Sequence, residues 1–116
     1  MAWSICTIGE GSILLAQSAL TSDVRLGLHT VVMPNATLTH DDIAEDFATI
    51  CAGVSARGGV TIGAGPYIGM DASIREAVLA GPDSKIGMGA CVLTDVPAGE
   101  VWAGVPAKSL PKVAQW

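Results

Sequence analysis

Two histidines, His29 and His40, are the candidate proton carriers of this chain, and His40 has carboxylates beside it in the run Thr39-His40-Asp41-Asp42. An imidazole held at one nitrogen by a carboxylate keeps a single tautomer and becomes a better base through the other nitrogen. Adjacent residues on a straight strand point to opposite faces, so His40 and Asp41 can cooperate only where the backbone bends. The run therefore reads in two ways, as a base with its orienting acid or as a solvated acidic turn with an incidental histidine. His29 has weaker support. Two histidines are too few for a three-histidine metal site within one chain, and no metal is expected. A metal-dependent hydratase would need His29 and His40 to be shared across a subunit boundary. The chain has neither a Gly-x-Ser-x-Gly elbow nor a Gly-rich phosphate loop ahead of a helix.

The elements that must carry these residues are written in a period of six. Counting from Ile8, every sixth residue through Val92 is apolar, as in Leu38, Ala44, Ile50, Ala56, Ile62, Ile68 and Ile74. The residue four places later in each hexad is usually small or β-branched, and Gly often follows the aliphatic directly. Period six fits neither a helix nor plain strand alternation; it marks a hexapeptide β-helix in which each hexad is a short strand and a bend. With three hexads to a turn, residues 18 apart stack, which gives about five coils and three inward ladders. Leu14, Val32, Ile50, Ile68 and Ile86 form one; Leu20, Leu38, Ala56, Ile74 and Val92 the second; Ile8, Leu26, Ala44, Ile62 and Ala80 the third. Asp42 and Pro66 break the small-residue rule, and local violations of a consistent pattern often mark functional or strained sites. Pro66 is explained as a corner residue with fixed φ. Asp42 adjoins His40 and Asp41.

One domain spans 1–116, with hexapeptide repeats over about 8–96 and a C-terminal strand and tail over 97–116; Ser109 to Trp116 is open between a short helix and an extended tail. Only five of the 116 residues are aromatic, so the core must come from many small aliphatics. The net charge of −5 argues against a nucleic-acid partner. Lys85, Lys108 and Lys112 lie in the last third, where an anionic ligand is expected. Cys6, Cys51 and Cys91 form no CxxC, and no signal-peptide pattern is present, so a cytoplasmic protein is expected. Cys6 lies on the inward small-residue phase and reads as a packing thiol. No apolar run approaches the length of a membrane span. A short solenoid leaves much strand surface uncovered, which favours self-association.

Val31-Val32-Met33-Pro34-Asn35-Ala36-Thr37-Leu38-Thr39-His40-Asp41-Asp42, Asp46-Phe47-Ala48-Thr49-Ile50, Gly58-Gly59-Val60-Thr61-Ile62-Gly63 and the ending Ala103-Gly104-Val105-Pro106-Ala107-Lys108 resemble the hexapeptide-repeat acyltransferases of the sialic acid O-acetyltransferase and bacterial amino-sugar N-acetyltransferase group. The resemblance implies an all-β, left-handed parallel β-helix that assembles as a homotrimer, with acetyl-CoA in a groove between neighbouring subunits. It implies catalytic roles for His40, as general base toward an amine or hydroxyl of a small, sugar-derived acceptor, and for Asp41, which orients it. Gly58, 18 residues from His40, would offer its backbone N–H to the developing oxyanion, and its missing Cβ would admit the thioester. Thr49, Met70 and Met88 would border the pantetheine arm, with Gly104 and Lys108 toward the nucleotide end and its phosphates. Met70 and Met88 read equally well as interface residues. This sequence departs from the pattern at Met33-Pro34, where relatives commonly place polar residues, and at Thr49, where some place His. Many relatives also carry an N-terminal nucleotide-sugar-binding α/β domain, whereas the first hexad here begins within ten residues of Met1. The expectation is an excised or short C-terminal domain, or a different acceptor. The competing reading is a non-catalytic trimeric scaffold or a CoA-binding relic.

Overall fold

The structure is a computed structural model that describes residues 6–111. It is all-β among those residues, a parallel β-solenoid of about five coils whose wall consists of three sheets. The first sheet stacks Thr7–Ile8, Arg25–Leu26, Ile43–Ala44, Thr61–Ile62 and Leu79–Ala80. The second stacks Ile13–Leu14, Val31–Val32, Thr49–Ile50, Tyr67–Ile68 and Lys85–Ile86, then adds Val101–Ala103 and Lys108–Ser109. The third stacks Ala19–Leu20, Thr37–Leu38, Ser55–Ala56, Ser73–Ile74 and Cys91–Val92. Each hexad is thus a two-residue strand and a corner, as its period requires.

The register is the 18-residue one. Ile50 lies opposite Ile68, Leu38 opposite Ala56, and Ala44 opposite Ile62. The three ladders read from the sequence are the three inner walls, and Leu38, Ile50, Ile62, Ile68, Ile74 and Ile86 are fully buried. Burying one such side chain contributes roughly 1.5–3 kcal/mol, so the columns themselves hold the coils in phase. Ile8 and Leu14 in the first coil are 43% and 38% exposed, because among the described residues no coil lies beneath them.

The corners explain the second residue class. Backbone φ is positive at every sixth residue from Gly11 to Gly89, at positions mostly occupied by Gly, Asp or Asn. These are the residues that tolerate the left-handed region in tight turns. The Gly that follows an aliphatic has a different cause: at Gly69 a Cβ would lie 2.6 Å from the Ile86 carbonyl oxygen in the coil above.

The solenoid ends differently from the simple strand and tail expected over 97–116. Ala80 bridges Val96, and Val101–Ala103 then adds in parallel to Lys85–Ile86 with Val101 opposite Lys85, a separation of 16 rather than 18. Lys108–Ser109 turns back antiparallel onto Trp102–Ala103, which makes this end a hairpin. The part of the tail beyond Pro111, with Lys112, lies outside the described residues. No helix among the described residues is long and apolar enough to cross a membrane.

Candidate active site

The corner between the third and first sheets carries His40. Thr39 to Asp42 form a tight turn, with the Asp42 N–H directed to the Thr39 carbonyl at 3.5 Å and φ of 63° at Asp41. Positive φ at the third residue of a turn suits Asp. The bend brings His40 and Asp41 together as the sequence requires, with Nδ1 and Oδ2 3.4 Å apart and both side chains 68% exposed. At that distance and exposure Asp41 biases the orientation of the ring rather than locking it.

The next coil places Gly58 directly against the imidazole. A Cβ built on Gly58 would sit 2.6 Å from His40 Nε2, and φ at Gly58 is 95°. The two turns are tied by the Gly59 N–H, which donates to the His40 carbonyl at 2.9 Å. Gly58 is buried, and its own N–H faces the Asp42 carboxylate, whose charged form it favours. The nitrogen of His40 that is free of Asp41 therefore lies beside the space that a side chain at position 58 would fill.

Asp42, one of the two rule-breaking residues, is buried under this turn at 1% exposure. Its Oδ2 accepts the Thr39 N–H at 2.7 Å and its Oδ1 accepts the Val60 N–H at 2.9 Å, so one carboxylate spans two coils. Burial pushes its pKa up, against the opposing pull of the Val60, Thr39 and Gly58 amides and of His40. Pro66, the other rule-breaker, is a buried corner residue whose carbonyl accepts the Thr49 N–H.

Of the other residues read as cofactor-binding, Met70 and Met88 share a cleft at another corner. Met70 and Met88 project from the corner between the second and third sheets and are 50% and 78% exposed. With Met33, Cys51, Ala52, Tyr67, Gly69 and Ile86 they line a cleft of about 310 Å³. Interaction with the Cys51 thiol raises the Tyr67 phenol above its usual pKa. Gly104 continues this corner at the hairpin, where its carbonyl accepts the Cys91 N–H, and φ is 99°. Thr49 faces outward from the second sheet beside Tyr67, and exposed Lys108 pairs with Ala103 at the hairpin. The chain thus brings His40, Asp41 and Gly58 together at one corner and Met70, Met88 and Gly104 at another, with the third sheet between them.

His29 occupies the remaining corner, where it lies over Gly11 and stacks on Phe47 with ring centroids 5.5 Å apart. It is a packing partner there, away from His40. Cys6 is half-buried, with Sγ 3.3 Å from the Thr21 carbonyl. No group of three potential metal ligands occurs among the described residues.

Sequence reasoning missed the cleft partners Met33, Cys51 and Tyr67. It also missed a second cleft, of about 330 Å³, lined by Asp23, Arg25, Asp41 and Ile43 beside the His40 turn. Stacking by 18 was the available signal, since it places Asp23 next to Asp41 and Tyr67 next to Lys85 and Thr49.

A parallel solenoid with a histidine facing a glycine at one corner and an apolar cleft at another has the form of a hexapeptide-repeat acyltransferase, and the relatives of this chain are acyltransferases. A UDP-3-O-acylglucosamine N-acyltransferase from Caulobacter sp. (strain K31) is 31% identical over 106 residues, which cover 91% of this chain and 26% of that protein. The acetyltransferase domain of PglB from Neisseria gonorrhoeae FA1090, solved in complex with acetyl coenzyme A, superposes with a TM-score of 0.91 at 32% identity, covering 94% of this chain and 54% of that one. A hexapeptide transferase family protein from Anaplasma phagocytophilum shares the fold, with a TM-score of 0.89 at 20% identity over 98% of this chain and 76% of that one. The chain spans about a quarter of the curated relative and about half of the PglB domain. No family model matches the chain.

Proposed function

We propose that this chain is an acetyl-CoA-dependent acetyltransferase acting on an amine or hydroxyl of a small, sugar-derived acceptor, with His40 as the general base. The observation that carries the reading is the His40 ring set against Gly58, with Asp41 on the ring's other nitrogen. The likeness to a domain solved with acetyl coenzyme A supports the choice of donor.

Acetyl-CoA would supply an activated thioester carbonyl. The apolar cleft bordered by Met33, Tyr67, Met70 and Met88 suits a flexible, mostly apolar arm, since methionines adapt to irregular shapes. Thr49 and Gly104 border the same side of the molecule, and Lys108 offers an ammonium to phosphate there. His40 Nε2 takes the proton of the acceptor as its nitrogen or oxygen attacks, and returns it to the departing sulfur. Asp41 favours the tautomer that leaves Nε2 free. The missing Cβ of Gly58 leaves room beside Nε2 for the thioester carbonyl, while the Gly58 N–H that the resemblance assigns to the oxyanion is turned to the Asp42 carboxylate. The acceptor enters by the cleft of Asp23, Arg25, Asp41 and Ile43, whose carboxylates suit an amine or sugar hydroxyls.

Because the base and the apolar cleft lie at different corners, we place the complete site between neighbouring copies of a left-handed, homotrimeric solenoid in a cytoplasmic setting. The corner of one copy meets the cleft of the next. Isothermal titration with acetyl-CoA tests the donor half: saturable, stoichiometric binding is expected, weakened by free CoA as competitor. A flat titration would leave the scaffold reading.

A further inference from the structure

The hexad step that holds Asp42 holds Ala36 one hexad earlier and Ala48 one hexad later, both fully buried. In its own column the residues one coil before and after are the buried Val24 and Val60, so packing alone asks for a small aliphatic side chain there. A carboxylate in the same slot carries a desolvation penalty, which is the largest cause of its raised pKa. The sign follows: with the folded pKa above the unfolded one, the penalty is absent below the ordinary carboxylate range and grows as pH rises through the folded value. The fold thus carries a buried carboxyl group that its own repeat does not need.

We propose that Asp42 is a positioning residue, whose carboxylate clamps the Thr39–Asp42 turn to the Gly58–Val60 turn so that the His40 ring is held over Gly58. One oxygen fixes the amide that precedes His40, the other fixes the amide two residues after Gly58, and both bonds are short. The two turns therefore share one anchor, at the point where the base and the open space over Gly58 must keep a common geometry. Facing the carboxylate are the amides of Thr39, Gly58 and Val60 and the imidazole of His40; Asp41 lies on the solvent side of the same turn, and Asp23 and Arg25 line the cleft beyond it. Asp41 is exposed and touches the ring from outside, so the two acids have separate tasks. Asp41 acts on the imidazole, and Asp42 acts on the backbone that carries it.

The kinetic arm of the test rests on the acetyl-transfer reading; the spectroscopic arm does not. In the wild-type chain a nuclear Overhauser contact between the His40 ring and the Gly58 α-protons is expected. In Asp42→Ala that contact should weaken or vanish while the methyl resonances of Ile50 and Ile68 stay in place, and kcat should fall roughly 100-fold, as for an ångström-scale misplacement, with KM for acetyl-CoA unchanged. Asp42→Asn keeps an acceptor for Val60 but opposes the Thr39 N–H with an amide donor, so it should lie between the two; it also carries the test if the alanine variant does not fold. A retained contact with full kcat in either variant overturns the proposal, as does loss of the core methyl pattern in proportion to activity, the mark of a purely structural role. A wild-type chain that shows the contact but turns over no acetyl-CoA refutes the function and leaves the clamp to be judged on the contact alone.

Discussion

Replacing His40 with alanine should lower acetyl transfer about 10²–10⁴-fold, the usual contribution of a positioned general base, while the solenoid melts as before. The expectation of an unchanged fold has a structural basis. The imidazole is 68% exposed and belongs to no core ladder, and the bond that ties His40 to the next coil is accepted by its backbone carbonyl from the Gly59 N–H, which alanine retains. Binding of acetyl-CoA should also survive, because the apolar cleft lies at another corner. The measurement is release of free CoA at saturating acceptor, compared between wild type and His40→Ala with unfolding curves for both. Full activity in the variant would remove His40 from the mechanism.

The second large effect belongs to Gly58→Ala. The new Cβ would lie 2.6 Å from Nε2 and 2.7 Å from Cε1 of His40, too close for the ring to stay where it is. The residue would also have to adopt a φ of 95°, which costs an L side chain about 1–2 kcal/mol. We expect roughly a 100-fold loss of kcat from displacement of the base, together with a modest loss of stability. Gly89→Ala separates the two contributions, because Gly89 also has positive φ, at 70°, but no heavy atom within 4 Å of its would-be Cβ. That variant should lose comparable stability and keep its activity.

The architecture was legible because stacking is a repeat property. Once Ile8 to Val92 fall in sixes, the partner of each strand residue follows by adding 18, and Leu38–Ala56 or Ile50–Ile68 need no further information. The His40–Gly58 contact was legible for the same reason. The division of the site between corners was also present in the phase, since His40 lies two residues beyond Leu38 of the third sheet and Met70 two beyond Ile68 of the second. The hairpin of Val101–Ala103 and Lys108–Ser109 was hidden, because it leaves the 18-residue register and depends on a turn that no hexad announces. The role of Asp42 was half visible. Its violation of the repeat marked the position, but the clamp needs the amides of Thr39 and Val60, whose directions only the coiled backbone sets.

The central claim, that a base on one chain serves an apolar cleft on its neighbour, is most directly tested by mixing two inactive proteins. His40→Ala lacks the base, and Met88→Glu places a charge in the cleft that should receive the thioester arm. Unfolded together and reassembled at equal concentrations, they should regain about a quarter of wild-type CoA release, the share of intersubunit sites that draw both intact halves by chance in a closed ring. A mixture that stays as inactive as its two components would show that base and cleft must come from the same chain, and would contradict the shared site.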